Sequence, residues 1–89
     1  MRIKQDYILK TIGDEIIIVP VKDEAVRFNG IITVNKTAAF LFQLLQENNY
    51  NEMDLVQFVL DHYDVDEPKA KKDVESFILK CKKNGLLSE

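Results

Sequence analysis

Every strand signal in this sequence lies before Asn35, and every helix signal lies after it. Alternating strands and helices would build parallel βαβ units. Strands first and helices afterwards imply an antiparallel sheet closed by a helical layer, an α+β fold. Tyr7-Ile8-Leu9-Lys10-Thr11-Ile12 and Glu15-Ile16-Ile17-Ile18-Val19 are rich in β-branched residues and flank Gly13-Asp14. Gly tolerates positive φ and Asp bonds its own backbone, so the pair reads as the turn of a hairpin. Pro20 cannot donate to a ladder and is expected to end the second strand. Lys22 to Gly30 reads as a polar connection closing on the turn signal Phe28-Asn29-Gly30, and Ile31-Ile32-Thr33-Val34 as a short third strand.

Asn35 is placed to cap a first helix from about Lys36 to Gln46, with Ala38, Leu41, Phe42 and Leu45 spaced by three and four. Phe40 and Leu44 widen that apolar face, which makes this helix the centre of the expected core. Asn51 and Asp54 have the spacing of a capping box at the start of a second helix, whose apolar residues are Leu55, Val56, Val59, Leu60 and Tyr63. Asp66 caps a third, with Pro68 tolerated in its first turn and Ala70, Val74, Phe77, Ile78 and Cys81 in one stripe. Gly85 then suits a left-handed cap, with Leu86 folding back onto the last turn.

Eighty-nine residues suffice for one modest core. No apolar run approaches the ~20 residues of a membrane span, and the first residues lack the apolar stretch of a secretion signal. These features predict a cytoplasmic protein. Cys81 is the only cysteine and His62 the only histidine, too few for a His/Cys zinc site. Asp61, Asp64, Asp66 and Glu67 cluster around one connection, but the segment has no central Gly for a calcium loop. The three glycines are scattered, so no phosphate loop exists, and no nucleophile–base pair stands out. Cys81 falls on an apolar stripe and reads as a small buried hydrophobe; His62, near a helix end, reads as structural. The sequence predicts no enzyme, no cofactor and no metal.

The third helix carries the most functional information. Lys69, Asp73, Ser76 and Lys80 line one flank of its apolar stripe, and Lys72, Lys83 and Leu79 the far side. Leu79 is apolar where water is expected. A cationic helix beside a groove suits an acidic partner.

These residues resemble a known family. Phe28-Asn29-Gly30-Ile31-Ile32-Thr33-Val34-Asn35, then Thr37-Ala38-Ala39-Phe40-Leu41-Phe42-Gln43-Leu44-Leu45, look like PqqD proteins. So do Tyr63-Asp64-Val65-Asp66, Asp73-Val74-Glu75-Ser76-Phe77-Ile78 and Gly85-Leu86-Leu87. The likeness runs from about Tyr7 to Leu87 and lies in the order and spacing of the pieces. Cys81 and Leu79 are small departures from the pattern. The resemblance implies that residues 1–89 form one winged helix-turn-helix domain, a recognition element for ribosomally made precursor peptides. Such a domain binds the precursor's leader as a strand beside the third β-strand, in a cleft against the third helix. It then presents the precursor to a modifying enzyme, often a radical SAM protein.

The residues expected to bind the peptide are Ile31, Ile32, Thr33 and Val34 on the edge strand, Lys69, Asp73, Ser76 and Lys80 on the helix flank, and Phe77 as the apolar floor. Either Ile31 and Thr33 or Ile32 and Val34 pack inward, and the sequence leaves both open. Lysines suit acidic leader residues, but exposed pairs give only ~0.2–1 kcal/mol each, so apolar anchors should carry more. Two other readings share this architecture. A DNA-binding regulator is disfavoured by a net charge of −3 and a third helix without arginine. A protein-interface module would also use an exposed strand edge and Leu79. The expected state is a monomer or weak homodimer, with no nucleic acid and no membrane.

Overall fold

The hairpin loop sets the register of the whole sheet. Gly13 takes φ +60° and Asp14 does not share it, the pattern of a two-residue II′ loop, whose twist matches that of its strands. The structure, a computed structural model, describes residues 1–22, 24–25 and 31–88. The Phe28-Asn29-Gly30 turn therefore lies outside the described residues. Strands β1 (Tyr7–Ile12), β2 (Glu15–Pro20) and β3 (Ile32–Val34) precede helices α1 (Lys36–Glu47), α2 (Glu52–His62) and α3 (Glu67–Lys83). The sheet is antiparallel in the order β1-β2-β3. Among the described residues, three strands followed by three helices make the expected α+β, winged helix-turn-helix arrangement.

The pair flanking a two-residue loop, here Ile12 with Glu15, exchanges both backbone bonds, and bonded and non-bonded pairs alternate from it. The bonded series runs through Ile8–Val19 to Asp6, whose carbonyl accepts from the Val21 N–H at 2.9 Å. Residues 16, 18 and 20 therefore turn their backbone groups towards β3. Pro20 belongs to this set, and β3 reaches only Ile16 to Ile18. Its missing N–H thus has no ladder partner to disappoint, and β2 runs one residue past the expected stop at Val19. The same alternation makes Ile16–Val34 and Ile18–Ile32 the bonded pairs. Thr33 is left with its N–H and C=O turned to the free edge.

Side chains follow the pleat. Tyr7, Leu9, Ile16, Ile18, Ile32 and Val34 face the helices. They meet Leu41, Phe42 and Leu45 of α1, Leu55 and Val59 of α2, and the α3 stripe Ala70, Val74, Phe77, Ile78 and Cys81. Each large apolar side chain so buried contributes roughly 1.5–3 kcal/mol. The open choice on the third strand is thereby resolved: Ile32 and Val34 are buried, and Ile31 and Thr33 are exposed. Ile31 lies just outside β3.

Caps hold the helices in place. The Asn35 side chain accepts from the Ala38 N–H at 2.8 Å. Asn51 and Asp54 form the reciprocal box at 2.8 and 3.0 Å, and Asp66 accepts from the Lys69 N–H at 3.0 Å. Gly85, at φ +69°, closes α3. Leu86 N–H bonds the Cys81 carbonyl at 2.9 Å and Gly85 N–H bonds that of Lys82 at 3.3 Å, the two bonds of a Schellman motif. The chain ends then pair, Ile3 bridging to Leu87. No helix among the described residues is long and apolar enough to cross a membrane.

Candidate functional site

Among the described residues, a hydrogen bond joins the outer edge of β3 to the flank of α3. The Lys80 ammonium donates to the outward-facing Thr33 carbonyl at 3.1 Å. Beside it opens a concavity of about 180 Å³ lined by Asp73, Ser76, Phe77 and Lys80 from α3, and by Asn35, Thr37 and Ala38 from the start of α1. Four of the expected residues therefore share one hollow. Phe77 is 3% exposed, so its ring serves the core while its edge floors the hollow. Lys69 lies one turn beyond, its ammonium 3.3 Å from the half-buried Asp73 carboxylate. Ile31 and Thr33 are exposed and line neither this hollow nor the core, whereas the Ile32 and Val34 side chains are committed to the core.

The sequence reading missed the α1 side of the hollow. Asn35 was legible only as a cap, and the helical period of Thr37 and Ala38 gives no sign that they face a groove. Leu79 finds its place here. A second, more open hollow lined by Ser76, Leu79, Lys80, Lys83 and Asn84 shares Ser76 and Lys80 with the first. The two adjoin at these shared residues and together make the α3 channel; Leu79, 68% exposed, is an apolar wall of the second. Lys80 and Lys83 against Asp73 give the lining a cationic balance.

Several other polar residues have structural partners. The His62 ring stacks on Phe40, centroids 4.4 Å apart and planes 11° from parallel, and Tyr63 meets both rings edge-on. Asp61 accepts from the Gln57 side chain at 2.9 Å. The Tyr7 hydroxyl donates to the buried Glu24 carboxylate at 2.8 Å, and Lys4 approaches the same carboxylate at 3.6 Å. Cys81 is buried, and burial pushes its thiol up to about 12, which suppresses the reactive thiolate. Among the described residues no cluster of His, Cys, Asp or Glu is arranged to hold a metal ion.

Residues 15–87 match the family described as coenzyme PQQ synthesis protein D, PqqD. The chain belongs to the PqqD family. Two solved structures share its fold. One, of TbiB1 in complex with the TbiA(beta) leader peptide, superposes with a TM-score of 0.70 at 19% identity, covering 99% of this chain and 95% of that one. The other, of lasso peptide synthetase B1 complexed with the leader peptide, gives 0.67 at 20% identity, covering 96% and 93%. No curated protein matches the sequence significantly. At these identities the two structures establish a common PqqD-like fold.

Proposed function

We propose that this PqqD-family protein binds the leader segment of a ribosomally synthesised precursor peptide and presents it to a modifying enzyme, with a radical SAM maturase as the favoured class. The leader adds as a strand to the free edge of β3 and lies in the channel against α3. One observation carries the reading. The Thr33 N–H and C=O point out of the sheet beside the channel, and among the described residues only the ammonium of the exposed Lys80 bonds the carbonyl. An edge in that state is a template for another strand. Main-chain bonds would supply affinity, and the adjoining hollows would read alternate side chains. Two solved relatives of the same fold hold leader peptides, which supports the same use here.

Each part of the site then has a task. Thr33 and Ile31 offer backbone partners, and the exposed Ile31 side chain covers one face of the added strand. Phe77, Ala38 and Leu79 accept apolar leader residues. Lys80 must leave the Thr33 carbonyl as the new strand takes its place. A leader carboxylate near that point would receive the freed ammonium, so acidic leaders are favoured. The protein itself performs no chemistry in this account.

Calorimetric titration with synthetic leaders, taken from short open reading frames beside the gene, tests the proposal. Saturable one-to-one binding that a scrambled sequence cannot reproduce is expected. A folded protein that binds none of them would overturn it.

A further inference from the structure

Helix α3 has a second groove on its other flank. Met53, Val56 and Leu60 form an apolar stripe on α2 at helical spacing, beside the stripe that enters the core. Met53 is 81% exposed. Glu67, Lys71 and Glu75 form the facing ridge of α3, and Glu52 closes one end, leaving a groove of about 390 Å³. Lys71, the one cation on its walls, is paired with Glu67 at 3.9 Å. Glu52 and Glu75 have no ion-pair partner among the described residues. One helix thus separates two surfaces of opposite sign, the Lys80/Lys83 channel that meets β3 at the Thr33 carbonyl and an acid-rimmed apolar groove along α2.

We infer that the α2–α3 groove is a second docking surface, which takes a cationic amphipathic helix from the protein that receives the precursor. This rests on the delivery reading, since a carrier must engage its peptide and its recipient together. Two helices lying side by side present a valley into which the ridge of a third packs. The eleven residues of α2 make about three turns, roughly 16 Å, the length of groove such a helix would fill. Its apolar face would settle on Met53, Val56 and Leu60, where the flexible thioether of Met53 adapts to the incoming shape. Lysines or arginines on either side would reach Glu52 and Glu75. The charge pattern also excludes the wrong occupant: an acidic leader is repelled here and drawn to the channel.

The test uses the full chain with ¹³C-labelled methionine methyl groups; Met1 and Met53 are its two methionines. The probe is a synthetic amphipathic helix of about three turns, leucines on one face and lysines on the other. Saturable movement of the Met53 methyl is expected, with the Ile31 and Thr33 amides unmoved. An isostere with glutamates for lysines should not bind. Glu52→Lys with Glu75→Lys should weaken the cationic peptide about tenfold, more at low salt than at high. An unmoved Met53 methyl, shifts at Thr33 instead, or unchanged affinity in the doubly reversed variant would each overturn the inference. Leader binding is followed in parallel at Thr33, so failure of this groove and failure of the leader site are read by separate signals.

Discussion

Replacing Phe77 by Ala tests whether core and channel share one side chain. Phe77 is 3% exposed and packs in the α3 stripe with Val74, Ile78 and Cys81. Removing a buried aromatic ring loses its transfer energy and leaves a cavity, together about 3–5 kcal/mol. At ~0.05–0.15 kcal/mol per residue, a chain of 89 residues has only about 4–13 kcal/mol in total. Phe77→Ala should therefore remove about a quarter or more of the stability. With a urea slope of about 1 kcal/mol per molar, the midpoint should fall by about 3–5 M, or the variant should not fold. Far-UV circular dichroism during a urea titration measures this. Phe77→Leu should cost nearer 1 kcal/mol, stay folded, and still lose leader affinity because the floor has changed shape. A loss below about 1 kcal/mol for Phe77→Ala would refute the packing argument. Unchanged leader affinity in Phe77→Leu would remove Phe77 from the floor.

Three further outcomes follow from single contacts. Lys69→Glu with Lys80→Glu should leave the thermal midpoint within a few degrees and weaken an acidic leader severalfold by calorimetry, since both ammonium groups are exposed and each pair gives ~0.2–1 kcal/mol; unchanged affinity would mean that the flank is misassigned. The Cys81 thiol keeps its proton to about 12 in the folded state, because burial outweighs the nearby Lys80 charge, whereas the unfolded thiol loses it near 9.0. The unfolded chain then binds fewer protons, so this stability is full below pH 9 and declines between pH 9 and 12 by about 1.4 kcal/mol per unit; denaturation of Cys81→Ala should lack that part of the slope, and identical slopes would contradict it. Gly85→Ala meets no neighbour within 4 Å but must hold φ +69°, so a urea titration should show a loss of about 1–2 kcal/mol, and no loss would mean the cap is not under conformational demand.

The local parts of this fold were legible because their causes are local. Gly13-Asp14 sets its own loop, Asn35, Asn51 and Asp66 cap the helices that follow them, and Gly85-Leu86 closes α3 through bonds to residues a turn away. Nonlocal pairing was not legible: nothing near Ile3 announces that it will bridge Leu87, and Pro20 marks a strand end unless the short reach of β3 is known. The α3 side of the candidate site was visible through helical periodicity, which put Asp73, Ser76, Phe77 and Lys80 on one flank. The choice between Ile31/Thr33 and Ile32/Val34 depended on register, which the hairpin loop fixes only once the strands are seen to pair. Asn35, Thr37 and Ala38 escaped notice because their helical roles account for them fully in sequence, and only packing brings them opposite α3.

The most direct test of strand addition is amide hydrogen exchange at Thr33, read by NMR in the free protein and with a saturating leader. Free, the Thr33 N–H faces the open edge and should exchange quickly. With the leader added as a strand, that amide gains a main-chain acceptor, and its exchange should slow by orders of magnitude while the Lys80 ammonium leaves the Thr33 carbonyl. A leader that binds saturably but leaves Thr33 exchanging at its free rate would contradict the claim that β3 is where the peptide is held.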